Sequence, residues 1–229
     1  MPALRGEREM FTRERAPLVY TRAELLSDAV VHVVGILAAL VAFPLLVWLA
    51  LTRSGDRATV LALMVYGISV LVLLVSSALN NMLRQSAWKP LLSRVDQSAI
   101  YVKIAGSYTP FAVLAGTQAG VFLTGLWGAA FFGACLRLSS GARLKWASIL
   151  LYLSMGWAGA ILGGPIVEAL SPTAALLILA AGLTYTVGVV FFVWERLPFH
   201  NTIWHVFVLA GSCVLYAAVL VEVSSRMTA

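Results

Sequence analysis

Apolar runs dominate this chain, and the few polar side chains inside them recur near one end of a run. Seven runs fall at about residues 25–51, 57–79, 95–114, 120–136, 146–162, 173–194 and 202–223. Charge or turn residues mark the breaks, such as Arg53 with Asp56, the polar stretch 80–94, Gly116, Ser139 with Arg143, Ser171 with Pro172, and Glu195 with Pro198. Long runs without a period of two predict helices rather than strands. About 20 apolar residues let a helix cross a bilayer, and only helices or a closed barrel satisfy the backbone there. The pattern therefore predicts an all-α bundle of seven transmembrane helices. The fifth-to-sixth break is the least marked, because 165–170 stays apolar.

The polar exceptions have an order of their own. Asp28 and His32 stand near the start of the first run, and Ser77 and Asn81 near the end of the second. Asp96 opens the third, and Asn201 and His205 stand near the start of the last. If the runs alternate in direction, all four groups fall at one membrane level. Ionisable and amide side chains are costly in a membrane and mark a functional site by default. Asp28 and His32 are four residues apart, as are Ser77 and Asn81, and Asn201 and His205, so each pair shares a helix face. Lys103 lies on the face of Asp96 one to two turns deeper, where the two can neutralise each other.

Composition supports the bilayer. Hydrophobic residues make up 61% of the chain and charged residues 11%, with a mean hydropathy of +0.91. A soluble domain is nearer half apolar and a quarter charged. Little length remains for a soluble domain, so residues 25–229 read as one membrane domain behind a polar tail, 1–24. That tail lacks the apolar stretch of a cleaved signal peptide.

Lys and Arg are placed unevenly. Twelve fall on the side of the N-terminal tail: Arg5, Arg8, Arg13, Arg15, Arg22, Arg84, Lys89, Arg94, Arg137, Arg143, Lys145 and Arg196. Only Arg53, Arg57 and Arg226 fall on the other. Basic residues concentrate in cytoplasmic loops, so the N-terminus is expected in the cytoplasm and the C-terminus outside. The formal charge of +6 then suits membrane lipids with anionic headgroups as partners. No basic and aromatic motif points to nucleic acid. Cys135 and Cys213 fall inside runs and read as buried, inert thiols.

The polar level holds a base (His205 or His32), acids (Asp28 and Asp96), a hydroxyl (Ser77) and amides (Asn81 and Asn201). That set suffices for hydrolysis at a lipid head or for a proton path. The plainer alternative is packing glue between helices, at about 1 kcal/mol per group.

Six stretches together resemble the hemolysin III proteins, the bacterial branch of the progestin and adipoQ receptor family. They are ELLSDAVVHVVG (24–35), SALNN (77–81), DQSAIYVKIAGSYTPF (96–111), LYLSMGW (151–157), GLTYTVG (182–188) and NTIWHVFVL (201–209). The resemblance implies seven helices, a cytoplasmic N-terminus and a bacterial plasma membrane. It also implies a zinc ion near the cytoplasmic face, held by three histidines. One closes a Ser-x-x-x-His motif on the second helix, and two form His-x-x-x-His on the seventh. An aspartate opening the third helix reaches the metal through water. Hydrolysis of lipid amides such as ceramides, or a receptor role, follows by resemblance.

Carried onto this chain, the motif keeps Ser77, Asp96 and the metal position His205, while Asn81 and Asn201 occupy the other two histidine positions. Glu24 and His32 are kept, Asp28 stands for Asn, and Gln97 for His. Neutral amides are poor zinc ligands, so the expected site is an amide and ion-pair network in which Lys103 replaces the metal's charge beside Asp96. The expected role is lipid binding, sensing or structure with impaired zinc binding. The alternative is a zinc-dependent lipid amide hydrolase with catalytic Asp96 and Ser77 and a rearranged site, using His32 with Asp96 and His205, or a redirected His200.

Overall fold

Residues 20–53, 56–116, 119–140 and 144–228 are described in the computed structural model. Most of the expected tail, with Arg5, Arg8, Arg13 and Arg15, and the loop residue Arg143 lie outside the described residues. Among those described there is no strand. The order is α1 (Arg22–Arg53), α2 (Arg57–Met82), α3 (Lys89–Ala115), α4 (Gly120–Ser140), α5 (Lys145–Leu162), α6 (Gly164–Ala169), α7 (Pro172–Val193) and α8 (His200–Thr228). Each predicted run has its helix. The unmarked stretch near 165–170 forms the additional short helix α6, started by Pro165 in its first turn, where the missing N–H costs nothing.

Five helices, α1, α2, α4, α7 and α8, are long and apolar enough to cross a membrane. Their outer surfaces carry exposed Val41, Leu61, Val121, Phe131 and Leu176, and Cys135 and Cys213, expected to be buried, are exposed as well. Apolar area on that scale is not left to water, and it suits lipid chains. The protein is a membrane protein. α5 is shorter, and α3 is long but more polar for a reason its surroundings supply. α3 packs on α2, α4, α5, α6 and α8, so its polar residues face protein. Ser107 and Thr109 donate to the carbonyls one turn back, Lys103 O at 2.7 Å and Ala105 O at 3.0 Å, which satisfies them locally.

Two apolar clusters hold the bundle together. The larger joins α1, α2, α7 and α8 to the second half of α3 through Phe43, Tyr66, Phe111 and Val219. The smaller joins α3, α4 and α5 through Tyr101, Leu126 and Met155. Close approach needs small residues. A Cβ on Gly188 would lie 2.8 Å from Phe207 Cβ, and one on Gly159 would lie 2.4 Å from the Tyr108 ring.

Helix ends are fixed by side chains. At the start of α1, Thr21 and Glu24 form a capping box, the Glu24 carboxylate accepting from Thr21 N–H at 2.8 Å. The same carboxylate accepts from Phe199 N–H at 2.9 Å, which pins the α7–α8 turn to α1. At the opposite end, Glu222 of α8 accepts from Ser171 N–H, the cap of α7, and from Arg226, at 2.9 and 2.8 Å.

Candidate functional site

α1 and α8 begin where α2 ends and α3 starts, so the polar exceptions of four helices meet at one end of the bundle. Asp28 is central. Its carboxylate oxygen lies 2.6 Å from His205 Nδ1, and its other oxygen accepts from Asn201 Nδ2 at 3.3 Å. His32 Nε2 lies 3.6 Å from that second oxygen, and Arg84 Nη2 lies 4.0 Å from it. A carboxylate only accepts, so the neutral His205 ring carries its proton on Nδ1. Nε2 is then left as an acceptor, and Ser77 Oγ stands 3.2 Å from it. The rings of His32 and His205 lie 4.4 Å apart.

Amides extend this arrangement. Asn201 Nδ2 also donates to Asn81 Oδ1 at 3.1 Å, and Arg84 donates to the same oxygen at 3.0 Å. Asn81 Nδ2 donates to the Ser77 carbonyl at 3.0 Å. Arg84 lies over the Tyr20 ring, 3.9 Å from its centre. Asp96 accepts from Asn80 Nδ2 at 2.7 Å and also meets the Ser77 hydroxyl, while Lys89 donates to the Asn80 side-chain oxygen at 2.5 Å.

Below the polar level lies a cavity of about 230 Å³. Ser77, Asn81, Asp96 and His205 line its polar end, and Leu73, Ile178, Trp157 and Trp204 line the apolar remainder. Lys103 also lines it, and here an expectation is overturned. No ion pair joins Lys103 to Asp96 among the described residues. Seven residues along a helix is a rise of about 10 Å, too far for the lysine to return. Instead Lys103 Nζ donates to the Tyr185 hydroxyl and lies over its ring, 3.7 Å from the centre. Tyr185 in turn pairs with Ser212 Oγ at 2.9 Å.

The structure thus brings Asp28, His32, Ser77, Asn81, Asn201 and His205 together, with Asp96 beside them and Lys103 deeper. His200 takes a different position, against Tyr20. Asn80 and Arg84 were not singled out from the sequence. Arg84 lies in the turn just past the end of α2, inside the polar stretch 80–94, so no helical spacing marked it.

Asp28, His32 and His205 form a group whose potential ligand atoms lie within 4.8 Å of one another. Among the described residues buried His32 Nε2 makes no hydrogen bond, its nearest ionic neighbour being Asp28 at 3.6 Å, and this suits a metal ion. Other features suit it less. Ligands on a tetrahedral zinc at about 2.0–2.1 Å must stand more than 3 Å apart, but Asp28 and His205 share a hydrogen bond at 2.6 Å. A guanidinium beside Asn81 and Asp28 also repels a cation. As arranged, the residues do not fit a three-histidine zinc site.

Known proteins were compared with the chain. The family profile described as "Haemolysin-III related" matches residues 22–216. "Hemolysin-3 homolog" of Bacillus subtilis (strain 168) is 34% identical over 204 residues, 88% of this chain and 95% of that protein. "Hemolysin-3" of Bacillus cereus is 36% identical over 199 residues, 86% and 90% of the two chains. "Monocyte to macrophage differentiation factor" of Homo sapiens is 30% identical over 167 residues, 68% and 67% of the two chains.

Proposed function

The chain belongs to the haemolysin-III family, and from that premise we propose that it holds one amphiphilic lipid, with the zinc chemistry of its relatives impaired. The lipid head sits among Ser77, Asn81, Asn201 and His205, at the cytoplasmic face of a seven-helix bundle in a bacterial plasma membrane. The carrying observation is a cavity lined at once by those residues and by apolar and aromatic side chains. At about 230 Å³ it exceeds the about 150 Å³ that admits benzene. It is smaller than the about 300–1,000 Å³ of sites for bulky ligands. One alkyl chain matches that size.

Mass spectrometry of lipids extracted with the purified protein, together with elemental analysis, tests this reading. The expected result is about one amphiphile per chain and zinc well below one. Stoichiometric zinc with no bound lipid would overturn it. A second reading, a zinc-dependent hydrolase of lipid amides, draws support from the bare His32 Nε2. In that reading His32, His205 and Asp28 would hold the ion, and zinc would supply an activated water. Loss of zinc from His32→Ala would favour it.

A further inference from the structure

Ser77, His205 and Asp28 come from three helices and meet in the order nucleophile, base, carboxylate. Oγ to Nε2 is 3.2 Å, and Nδ1 to the carboxylate is 2.6 Å. These are the contacts and the tautomer that a Ser-His-Asp triad requires. Ser77 is set apart from its neighbour. Ser76 donates to Leu73 O one turn back at 3.0 Å, the usual resting place of a helical serine. The Ser77 hydroxyl instead faces His205 Nε2, with the Asp96 carboxylate also in reach. Both Ser77 and His205 line the cavity, so an acyl group lodged there can reach Oγ.

We infer that this chain is a metal-independent acyl hydrolase with Ser77 as nucleophile, His205 as general base and acid, and Asp28 as the residue that positions His205. The inference rests on the lipid-holding cavity proposed above and names its chemistry. Ser77 Oγ bonds to the carbonyl carbon of a long-chain acyl ester or amide, and its proton passes to His205 Nε2. The carbon–heteroatom bond then breaks, and His205 returns the proton to the departing alcohol or amine. A water attacks the acyl-serine, gives its proton to Nε2, and the fatty acid leaves as Ser77 Oγ recovers that proton. The sum is acyl compound plus water giving fatty acid plus alcohol or amine. Asn81 lines the same cavity, and among the described residues its Nδ2 donates to one acceptor, the Ser77 carbonyl. Its second N–H is a donor for the carbonyl oxygen as charge develops.

Both nitrogens of His205 are engaged, Nδ1 with the Asp28 carboxylate and Nε2 with Ser77 Oγ.

Hexadecyl fluorophosphonate, which loses fluoride to an activated serine, tests the triad in the full-length protein in detergent. Native mass spectrometry with hexadecanol, which cannot react, measures cavity binding separately. The expected result is one covalent adduct per chain, mapped to Ser77 by peptide sequencing and absent in Ser77→Ala. Asp28→Asn should slow labelling of the hexadecanol-binding fraction at least about tenfold, and Asp28→Glu should restore part of the rate. No adduct while hexadecanol binds overturns the triad and leaves the lipid-holding reading standing. No hexadecanol binding overturns both. Because the wild-type adduct is located directly, the result stands even if a variant misfolds.

Discussion

Asp28 is a carboxylate 3% exposed in a mainly apolar helix, and its surroundings make up for that burial. His205 and Asn201 donate to it, with His32 and Arg84 near its second oxygen. Removing the acceptor strands the donors, and a hydrogen bond to a charged group is worth about 1.5–3 kcal/mol. Asp28→Ala should therefore lower stability by about 2 kcal/mol, read as a lower unfolding temperature in detergent. Lys103 should behave in the opposite sense. Its ammonium is buried, with Tyr185 rather than a carboxylate as its recorded partner. Exchanging a poorly compensated buried charge for an apolar group of similar volume is often neutral or stabilising. Lys103→Met should leave the unfolding temperature unchanged or raised, and a drop of more than a few degrees would show that its charge is needed. Ser77, Asn81, Asn201, His205, Asp28 and His32 were legible in the sequence because a polar residue stands out in an apolar run. Asn80 and Arg84 were not, because they fall in a polar stretch where such residues are expected.

At the level of elements, helix packing here depends on missing side chains as much as on apolar faces. Gly188 lets α7 approach α8, and a Cβ there would lie within 2.8 Å of Phe207 Cβ, which cannot swing away as a side-chain tip could. Gly188→Ala should force the helices apart and cost about 1–3 kcal/mol, the usual penalty of overpacking. Thermal unfolding in the same detergent checks it, and an unchanged midpoint would mean that α7 and α8 slide at little cost. The helices themselves were readable from run length and turn residues. α6 was not, since a stretch of only six residues, GPIVEA, beside a longer run offers no period of its own. The low apolarity of α3 is resolved by its neighbours, for a helix wrapped by protein carries serine, threonine and lysine where a lipid-facing one does not.

For the whole molecule, the distribution of basic residues sets an expectation that fusions can test. An odd number of crossings with the N-terminus in the cytoplasm places the C-terminus outside. Alkaline phosphatase fused after Ala229 should be active and a fluorescent protein there dark; the reverse pattern would require an even number of crossings or an inverted bundle. Either way, the polar ends of α1, α2, α3 and α8 still meet, because their contacts are internal.

Sequence alone determined the all-helical class, the membrane setting and the level of the polar residues. These follow from solvent: lipid demands long apolar helices, and every polar exception in one is conspicuous. Tertiary structure decided which polar groups are partners. Helical spacing places side chains on a face but is silent about rotation and depth between helices. Packing alone turned His205 toward Asp28 and Ser77, placed Asp96 with Asn80, and sent Lys103 to Tyr185 rather than to the carboxylate seven residues earlier.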